Sequence, residues 1–318
     1  MDVNRASEIV GGIVGELRKV IVGQEAVLEQ MTVTLLAGGH ALLEGVPGTA
    51  KTLTARALAA VAGVAFRRIQ FTPDLMPSDI VGVNIYNTAT GEFHFRSGPV
   101  FADILLADEI NRAPAKTQSA LLEAMEEYQT TVDGVSRPMS RVFTVFATQN
   151  PVEFEGTYPL PEAEVDRFML KILVNYPDEA VEGAILDRVE DGFDWSNLAT
   201  ANLRTLLDLE TLLDLRETVR RTHMEESVRR YATRIVRGSR ALPQVSLGAS
   251  PRAAVMLMLA AKAHAVVAGR PFATPDDVKA MAPAVLRHRL LLAPEIEVEG
   301  RKPDDCIREL LLGVEVPR

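Results

Sequence analysis

The feature that most constrains the fold is a glycine-rich turn between a short apolar segment and a segment rich in alanine and leucine. The apolar pair Leu42–Leu43 precedes the turn, and residues 51–61 follow it. The turn reads Gly45-Val46-Pro47-Gly48-Thr49-Ala50-Lys51-Thr52. Strand, glycine-rich loop and helix in this order are the context of the phosphate-binding pattern G-x-x-x-x-G-K-[ST], which the chain matches except at Ala50, where glycine is usual. The pattern predicts an α/β fold with a phosphate site at this loop.

The chemistry of the loop predicts that it binds ATP together with Mg²⁺. Backbone N–H groups of the loop and of the following helix are expected to hold the phosphates. Lys51 is expected to reach the β- and γ-phosphates, Thr52 to ligate Mg²⁺, and Leu53 to complete the segment against the nucleotide. The alternative is a strand-to-helix turn that happens to carry a Lys-Thr pair.

A second apolar segment ends in two acids, Asp108 and Glu109. Acids at the carboxyl end of a parallel strand lie in the crevice where ligands bind. We expect Asp108 to hold the Mg²⁺ shell and Glu109 to polarise the attacking water as a general base. The alternative is a strand end with solvated acids. The phosphate-binding pattern earlier in the chain makes this alternative less favourable. Together the two motifs predict ATP hydrolysis to ADP.

The remaining pattern predicts an α/β core followed by a helical lid. Further strands are predicted at Phe66–Phe71, Ile104–Ala107, Phe143–Ala147 and Met169–Val174. Strands that alternate with helices indicate a parallel sheet covered on both faces. Two segments, Val83–Arg96 and Thr130–Phe143, interrupt this alternation as predicted β-hairpins. After about residue 175 only helical patterns continue, so we predict a core of residues 1–175 and a lid of residues 176–318.

Composition limits the environment and the partners. The formal net charge of -9 makes a broad contact with nucleic acid unfavourable. The single cysteine, Cys306, excludes a disulfide within the chain and suits a reducing compartment. The sequence has no apolar run of the roughly 18 residues that span a bilayer, and its N-terminus lacks the pattern of a signal peptide. We therefore expect a cytoplasmic protein without direct membrane insertion.

Four stretches give the sequence a specific resemblance. They read Asp108-Glu109-Ile110-Asn111-Arg112-Ala113-Pro114, Ala147-Thr148-Gln149-Asn150-Pro151, Leu160-Pro161-Glu162-Ala163 and Asp166-Arg167-Phe168. These stretches resemble the MoxR family of AAA+ ATPases, which also tolerates the alanine at position 50. The resemblance extends over essentially the whole chain. The resemblance implies a core strand order of 5-1-4-3-2, with the two hairpins as insertions and an all-α lid.

The resemblance also implies roles for further residues. Asn150 matches the sensor 1 position, which orients the lytic water, although an Asn before proline also suits a simple turn. Arg167 matches an arginine finger that acts on the neighbouring subunit's nucleotide, and an Arg paired on a solvated turn is the alternative. Arg252 matches sensor 2, which contacts the γ-phosphate. The alternative is a solvent-facing Arg in a first helical turn. Val22 and Gly23 match the segment beside the adenine.

A trans-acting finger implies a homo-oligomeric ring, a hexamer by resemblance. The resemblance suggests client proteins that contain von Willebrand factor A domains, with the ATPase acting as a chaperone that helps them to mature or to load metal. A nucleic-acid motor or remodeller is one alternative, against which the net charge argues. A nucleotide-gated scaffold is the other, and the two acids at positions 108 and 109 argue against it.

Overall fold

The computed structural model describes residues 1–151 and 156–317. The helices are α1 (Val3–Leu17), α2 (Glu25–Ala37), α3 (Lys51–Val61), α4 (Pro77–Val81), α5 (Ala115–Glu127), α6 (Glu162–Val165), α7 (Glu179–Glu190), α8 (Leu209–Arg221), α9 (Glu226–Gly238), α10 (Pro251–Val267), α11 (Pro275–Leu286), α12 (Pro294–Val298) and α13 (Pro303–Gly313). The strands are β1 (Ala41–Glu44), β2 (Phe66–Gln70), β3 (Gly82–Asn87), β4 (Glu92–Ser97), β5 (Ile104–Asp108), β6 (Gln129–Val132), β7 (Val135–Pro138), β8 (Thr144–Gln149), β9 (Leu170–Leu173), β10 (His223–Met224), β11 (Val245–Leu247), β12 (Phe272–Ala273) and β13 (Leu291–Leu292).

The centre of the fold is a five-stranded sheet in the order β2-β5-β8-β1-β9. All four neighbouring pairs are parallel. Counted along the chain as core strands 1 to 5, this is the order 5-1-4-3-2, so the predicted topology is confirmed. The inner strands β5 and β8 are buried along almost their whole length, as expected when helices cover both faces of a parallel sheet.

The order of the strands determines where a ligand can bind. Strand β1 continues through α3 to β2 at the far edge, whereas β9 pairs with the other side of β1. Such a reversal of strand order opens a crevice at the carboxyl ends of the strands. Here β1 ends at Glu44, β5 at Asp108 and β8 at Gln149, so the two predicted motifs lie at the same edge of the sheet.

Both predicted hairpins are present outside the sheet. Strands β3 and β4 pair antiparallel, as do β6 and β7. The second hairpin turns at Asp133 and Gly134, both with positive φ angles of 50° and 77°, the conformation that an Asp-Gly turn favours. Asn84 Nδ2 donates a hydrogen bond to Asp133 Oδ2 at 2.6 Å, so the two hairpins contact each other.

The second half of the chain is a helical lid that packs against the first two helices as well as the sheet. Helix α10 contacts both α1 and α2, and one apolar core extends across them. Four very short strands, β10 to β13, add two small pairings that the sequence did not indicate. Helix α11 ends at Leu286, and Leu291–Leu292 then pairs antiparallel with β11. Among the described residues, no helix has the length and apolarity to cross a membrane.

Candidate nucleotide site

A cavity of about 700 Å³ opens at the crevice predicted by the strand order. Its walls come from the glycine-rich loop, from the ends of β5 and β8, from the segment before α2, and from α7 with the residues after it. The lining residues are Val20, Ile21, Val22, Gln24, Gly45, Pro47, Gly48, Thr49, Ala50, Lys51, Thr52, Leu53, Arg56, Asp108, Glu109, Thr148, Gln149, Asn150, Ile185, Arg188, Val189, Phe193 and Trp195. The volume suits a ligand of several hundred daltons.

The loop depends on small residues at three positions. A Cβ atom at Gly45 would lie 2.3 Å from the carbonyl oxygen of Val174, so the start of the loop can approach β9 only without a side chain. Gly48 has a φ angle of 84°, which favours glycine. Ala50, the departure from the usual pattern, caps α3 with φ 60° and ψ 16°, in the left-handed region. An alanine there carries a strain of about 1 kcal/mol or more.

Lys51 closes the loop from the inside. Its Nζ donates hydrogen bonds to the carbonyl oxygens of Gly45 at 2.8 Å and Val46 at 2.7 Å, and to Thr49 Oγ1 at 3.2 Å. Burial lowers the pKa of Lys51 below its ordinary value, and the nearby Asp108 and Glu109 act in the opposite direction. The ammonium group therefore lies partly desolvated between backbone carbonyls and two acids. Such a cation interacts strongly with an incoming phosphate. The Val46 side chain itself is not part of the cavity wall.

Both acids at the end of β5 have defined partners. Asp108 Oδ1 accepts a hydrogen bond from Thr148 Oγ1 at 2.5 Å, and Asp108 Oδ2 accepts from Arg68 Nη2 at 2.7 Å. Glu109 Oε2 accepts from Gln70 Nε2 at 2.7 Å and from Arg112 Nη1 at 3.1 Å.

Thr148 on β8 also accepts a hydrogen bond from the Glu109 N–H at 2.8 Å, so that one hydroxyl fixes both acids. The Glu109 backbone has a φ angle of 55°. Strain of this kind is concentrated at functional sites.

The donor set suits Mg²⁺ held largely through a substrate. Thr52 and Asp108 offer one hydroxyl and one carboxylate at the cavity, and these hard oxygen ligands are the kind that Mg²⁺ takes when phosphates and waters complete its shell. No cluster of three or more His, Cys, Asp or Glu side chains capable of holding a metal occurs in the part of the chain that the structure describes. Asn150, 8% exposed, lies on the same wall as Thr148.

Part of the cavity lining is apolar, and most of this part was not predicted from the sequence. Val22 lines the cavity, as do Val20, Ile185 and Trp195. Gly23 does not line the cavity, but it forms the turn with a φ angle of 69°. These residues provide a surface for a flat ring such as a purine base.

Hydrogen bonds from Arg188 and Gln24 help to hold these lining segments in place. Arg188 Nη2 on α7 donates to the carbonyl oxygen of Arg18 at 2.7 Å, and Gln24 Nε2 donates to the Thr49 carbonyl at 3.2 Å. Both join segments far apart in the chain, which is why local sequence patterns did not reveal them.

The two predicted arginines, Arg167 and Arg252, lie together but not on the wall of this cavity. Arg167 Nε is 3.0 Å from Glu126 Oε2, and Arg252 Nη2 is 2.6 Å from Glu126 Oε1. Glu126 therefore bridges both guanidinium groups, and they lower its pKa, Arg252 most strongly through its hydrogen bond. The ion pair of Arg167 is thus with a residue on α5, distant from it in the chain.

The segment that carries Arg167 is fastened to the lid. Asp166 Oδ1 accepts from Arg289 Nε at 2.6 Å, and Asp166 Oδ2 accepts from Ser250 Oγ at 2.9 Å. The Arg289 side chain is only 2% exposed and also donates to the Phe168 carbonyl at 2.6 Å. Ser250 is the N-cap residue of α10, but its hydroxyl contacts Asp166 instead of a backbone N–H of the helix.

The protein combines the strand order, the glycine-rich loop, the acidic strand end and the helical lid of a nucleotide-binding protein of the AAA+ class. Sequence profiles agree: that of the ATPase family associated with various cellular activities (AAA) matches residues 40–170, and that of the AAA lid domain matches residues 237–310. The chain belongs to the MoxR family of AAA+ ATPases, as its relatives show.

Those relatives are similar over nearly the whole chain. The chaperone MoxR1 of Mycobacterium tuberculosis is 44% identical over 95% of this chain and 81% of its own length. The uncharacterized protein YeaC of Bacillus subtilis is 45% identical over 97% and 95%, respectively. A crystal structure of a candidate ATPase from Cytophaga hutchinsonii superposes with a TM-score of 0.90 at 40% identity, covering 99% of this chain and 96% of that one.

Proposed function

We propose that this chain hydrolyses ATP to ADP and phosphate with Mg²⁺, as a cytoplasmic ring of identical subunits, and that turnover remodels client proteins. The observation that carries the catalytic part is the convergence of Lys51, Thr52, Asp108 and Glu109 on one cavity. They come from two distant segments of the chain and supply a cation, a hydroxyl and two carboxylates. That combination serves phosphoryl transfer to water.

The side chains divide the work according to their contacts. Lys51 would exchange its carbonyl partners for phosphate oxygens, and Thr52 with Asp108 would hold Mg²⁺, which supplies charge neutralisation when bound. Both described contacts of the Glu109 carboxylate use Oε2, so Oε1 is the oxygen that can accept a proton from the attacking water. Asn150 on the same wall would orient that water.

The catalytic proposal is tested with Glu109→Gln. We expect this variant to bind ATP as tightly as the wild type and to hydrolyse it at least about 100-fold more slowly, because a general base is lost while the binding surface stays. Glu123→Gln, an exposed acid on α5, is the control. Removal of Mg²⁺ with a chelator should stop turnover in the wild type. Unchanged turnover in Glu109→Gln would refute the role of this acid.

The ring, a hexamer by resemblance, rests on the position of Arg167. Because this arginine does not line the cavity of its own chain, it is free to serve a neighbour's nucleotide. An arginine finger of this kind raises the rate of hydrolysis by about 10³- to 10⁵-fold. We therefore expect ATPase activity per subunit to rise with protein concentration as light scattering reports assembly, and Arg167→Ala to assemble but remain slow. Activity that is independent of concentration and unaffected by Arg167→Ala would contradict the ring.

The proposed client is a protein with a von Willebrand factor A domain, in keeping with the chaperone named among the relatives. We expect the Glu109→Gln variant, held in its ATP-bound state, to retain such a protein from the native cell and to release it when ADP replaces ATP. Recovery of nucleic acid alone, with DNA-stimulated turnover that falls steeply with salt, would favour a nucleic-acid motor instead.

A further inference from the structure

We infer that Glu126 is a positioning residue that holds Arg167 and Arg252 as one pair for the nucleotide of the neighbouring subunit. The inference rests on the proposed ring. It adds an acid outside the nucleotide-binding motifs, and a second arginine, to the group that one subunit presents to the next. The observation behind it is the double bridge from the two oxygens of a single carboxylate to the two guanidinium groups.

The geometry of the bridge leaves the arginines able to act. Arg167 contacts Glu126 through Nε, and its two Nη groups carry four further N–H donors. Arg252 contacts it through one Nη group only. Each guanidinium group therefore keeps donors for a phosphate, since an arginine has five N–H donors in a fixed plane. A carboxylate that fixes one edge of such a group orients the other edge.

The charges around Glu126 also support a role for the two arginines in binding a phosphate. Two guanidinium groups beside one carboxylate leave a net charge of about +1 at a half-exposed surface, where Arg167 is 26% and Arg252 is 40% exposed. The two arginines come from different parts of the chain: Arg167 precedes β9, and Arg252 lies in the first turn of α10. Without Glu126 the two cations would repel each other and separate.

The surrounding structure supports a prearranged pair. Asp166, next to Arg167, is bound to Ser250, two residues before Arg252. Arg289 fixes Asp166 from the other side. The segments that carry the two arginines are thereby joined through neighbouring side chains, and Glu126 adds a direct link between the arginines themselves. Such an arrangement lowers the entropy that must be lost when the arginines meet a transition state.

The test uses Glu126→Gln in the full chain, with Glu127→Gln as the matched control. Glu127 is the exposed neighbour on the same helix. We expect Glu126→Gln to lower kcat by about 10- to 100-fold while KM for ATP changes by less than about 3-fold, because orientation in the transition state is lost and the cavity is intact. Glu127→Gln should match the wild type. Wild-type or faster turnover in Glu126→Gln would overturn the inference.

Mixed rings separate the inference from the proposed function. Glu126→Gln keeps its own cavity, and Glu109→Gln keeps its arginines and Glu126. Co-expressed with different tags and purified through both, the two variants should regain about a quarter of the wild-type rate per subunit, since about half of the working cavities then face an intact neighbour. Arg167→Ala mixed with Glu109→Gln should recover in the same way.

The two mixtures distinguish a failure of the inference from a failure of the ring. Recovery with Arg167→Ala but none with Glu126→Gln would mean that Glu126 acts on its own cavity, which overturns the inference and leaves the ring standing. No recovery in either mixture would overturn the ring and the inference together. A loss from Glu126→Gln that persists unchanged in a chain already lacking Arg167 and Arg252 would also overturn it, because a positioning residue has no effect without the groups it positions.

Discussion

His264 joins the N-terminal part of the chain to the lid, and its replacement by glutamine tests how much that junction contributes. Its Nδ1 lies 2.5 Å from Asp277 Oδ1 on α11, and its Nε2 lies 2.9 Å from Glu29 Oε1 on α2. The hydrogen bond to Asp277, followed by that to Glu29, raises the pKa of His264 to about 9. Both ring nitrogens donate only when the imidazole is protonated, so the bridge depends on that proton.

The sign and size of the effect follow from linkage. A pKa raised from its ordinary 6.5 to about 9 adds stability that is fully present below pH 6.5 and is lost as the pH rises through 9. The contribution is about 3 kcal/mol at pH 6, about 2 kcal/mol at pH 7.5 and below about 0.5 kcal/mol at pH 9. His264→Gln should therefore lower the free energy of unfolding by about 3 kcal/mol more at pH 6 than at pH 9.5.

Urea unfolding followed by circular dichroism at pH 6.0, 7.5 and 9.5 measures this difference. His94→Gln is the control, because His94 is exposed on the first hairpin and should give the same stability as the wild type at every pH. A loss in His264→Gln that stays constant from pH 6.0 to 9.5 would refute the reasoning. It would mean that the histidine contributes packing and neutral hydrogen bonds rather than a charge shared by two acids.

Three further predictions concern residues that line the cavity. Ala50→Gly should alter the free energy of unfolding by less than about 1 kcal/mol, since relief of the left-handed strain is offset by a more flexible unfolded chain, whereas Ala50→Val should lower it by about 1–3 kcal/mol; equal effects would show that the backbone there is not strained. Gly45→Ala should weaken ATP binding at least about 10-fold, because its Cβ would meet the Val174 carbonyl at 2.3 Å, and calorimetry with unchanged affinity would exclude that clash. Trp195 is the only tryptophan of the chain and lines the cavity, so its fluorescence should change as ATP is added, and a flat titration would place the base elsewhere.

The sequence predicted the parts of the site that are contiguous in the chain. Residues 45–53 form one loop and one helix start, and their spacing is imposed by the chemistry of phosphate binding. Asp108 and Glu109 were predicted because they follow an apolar strand at the edge of the sheet where ligands bind. The order of the strands came from the resemblance, since parallel pairing leaves no local signal to show which strand lies beside which.

Contacts between distant segments could not be predicted from the sequence. Thr148 fixes both acids across two strands; its stretch contributes to the resemblance, but strand propensity alone gives a threonine no role at the acids. Trp195 reaches the cavity from a loop whose path depends on Arg56, which donates to its carbonyl oxygen at 3.1 Å. The roles of Arg167 and Arg252 and the division at residues 175 and 176 stay predictions.

The attachment of Asp166 to Arg289 and Ser250 has a genetic consequence in a ring of the proposed kind. A change that loosens this attachment leaves the nucleotide cavity of its own subunit intact but withdraws the arginines from the next one. A single altered copy then silences a site in an unaltered neighbour, so such alleles should be dominant when both forms are expressed together. An allele that only prevents folding should be recessive, because its product never enters a ring.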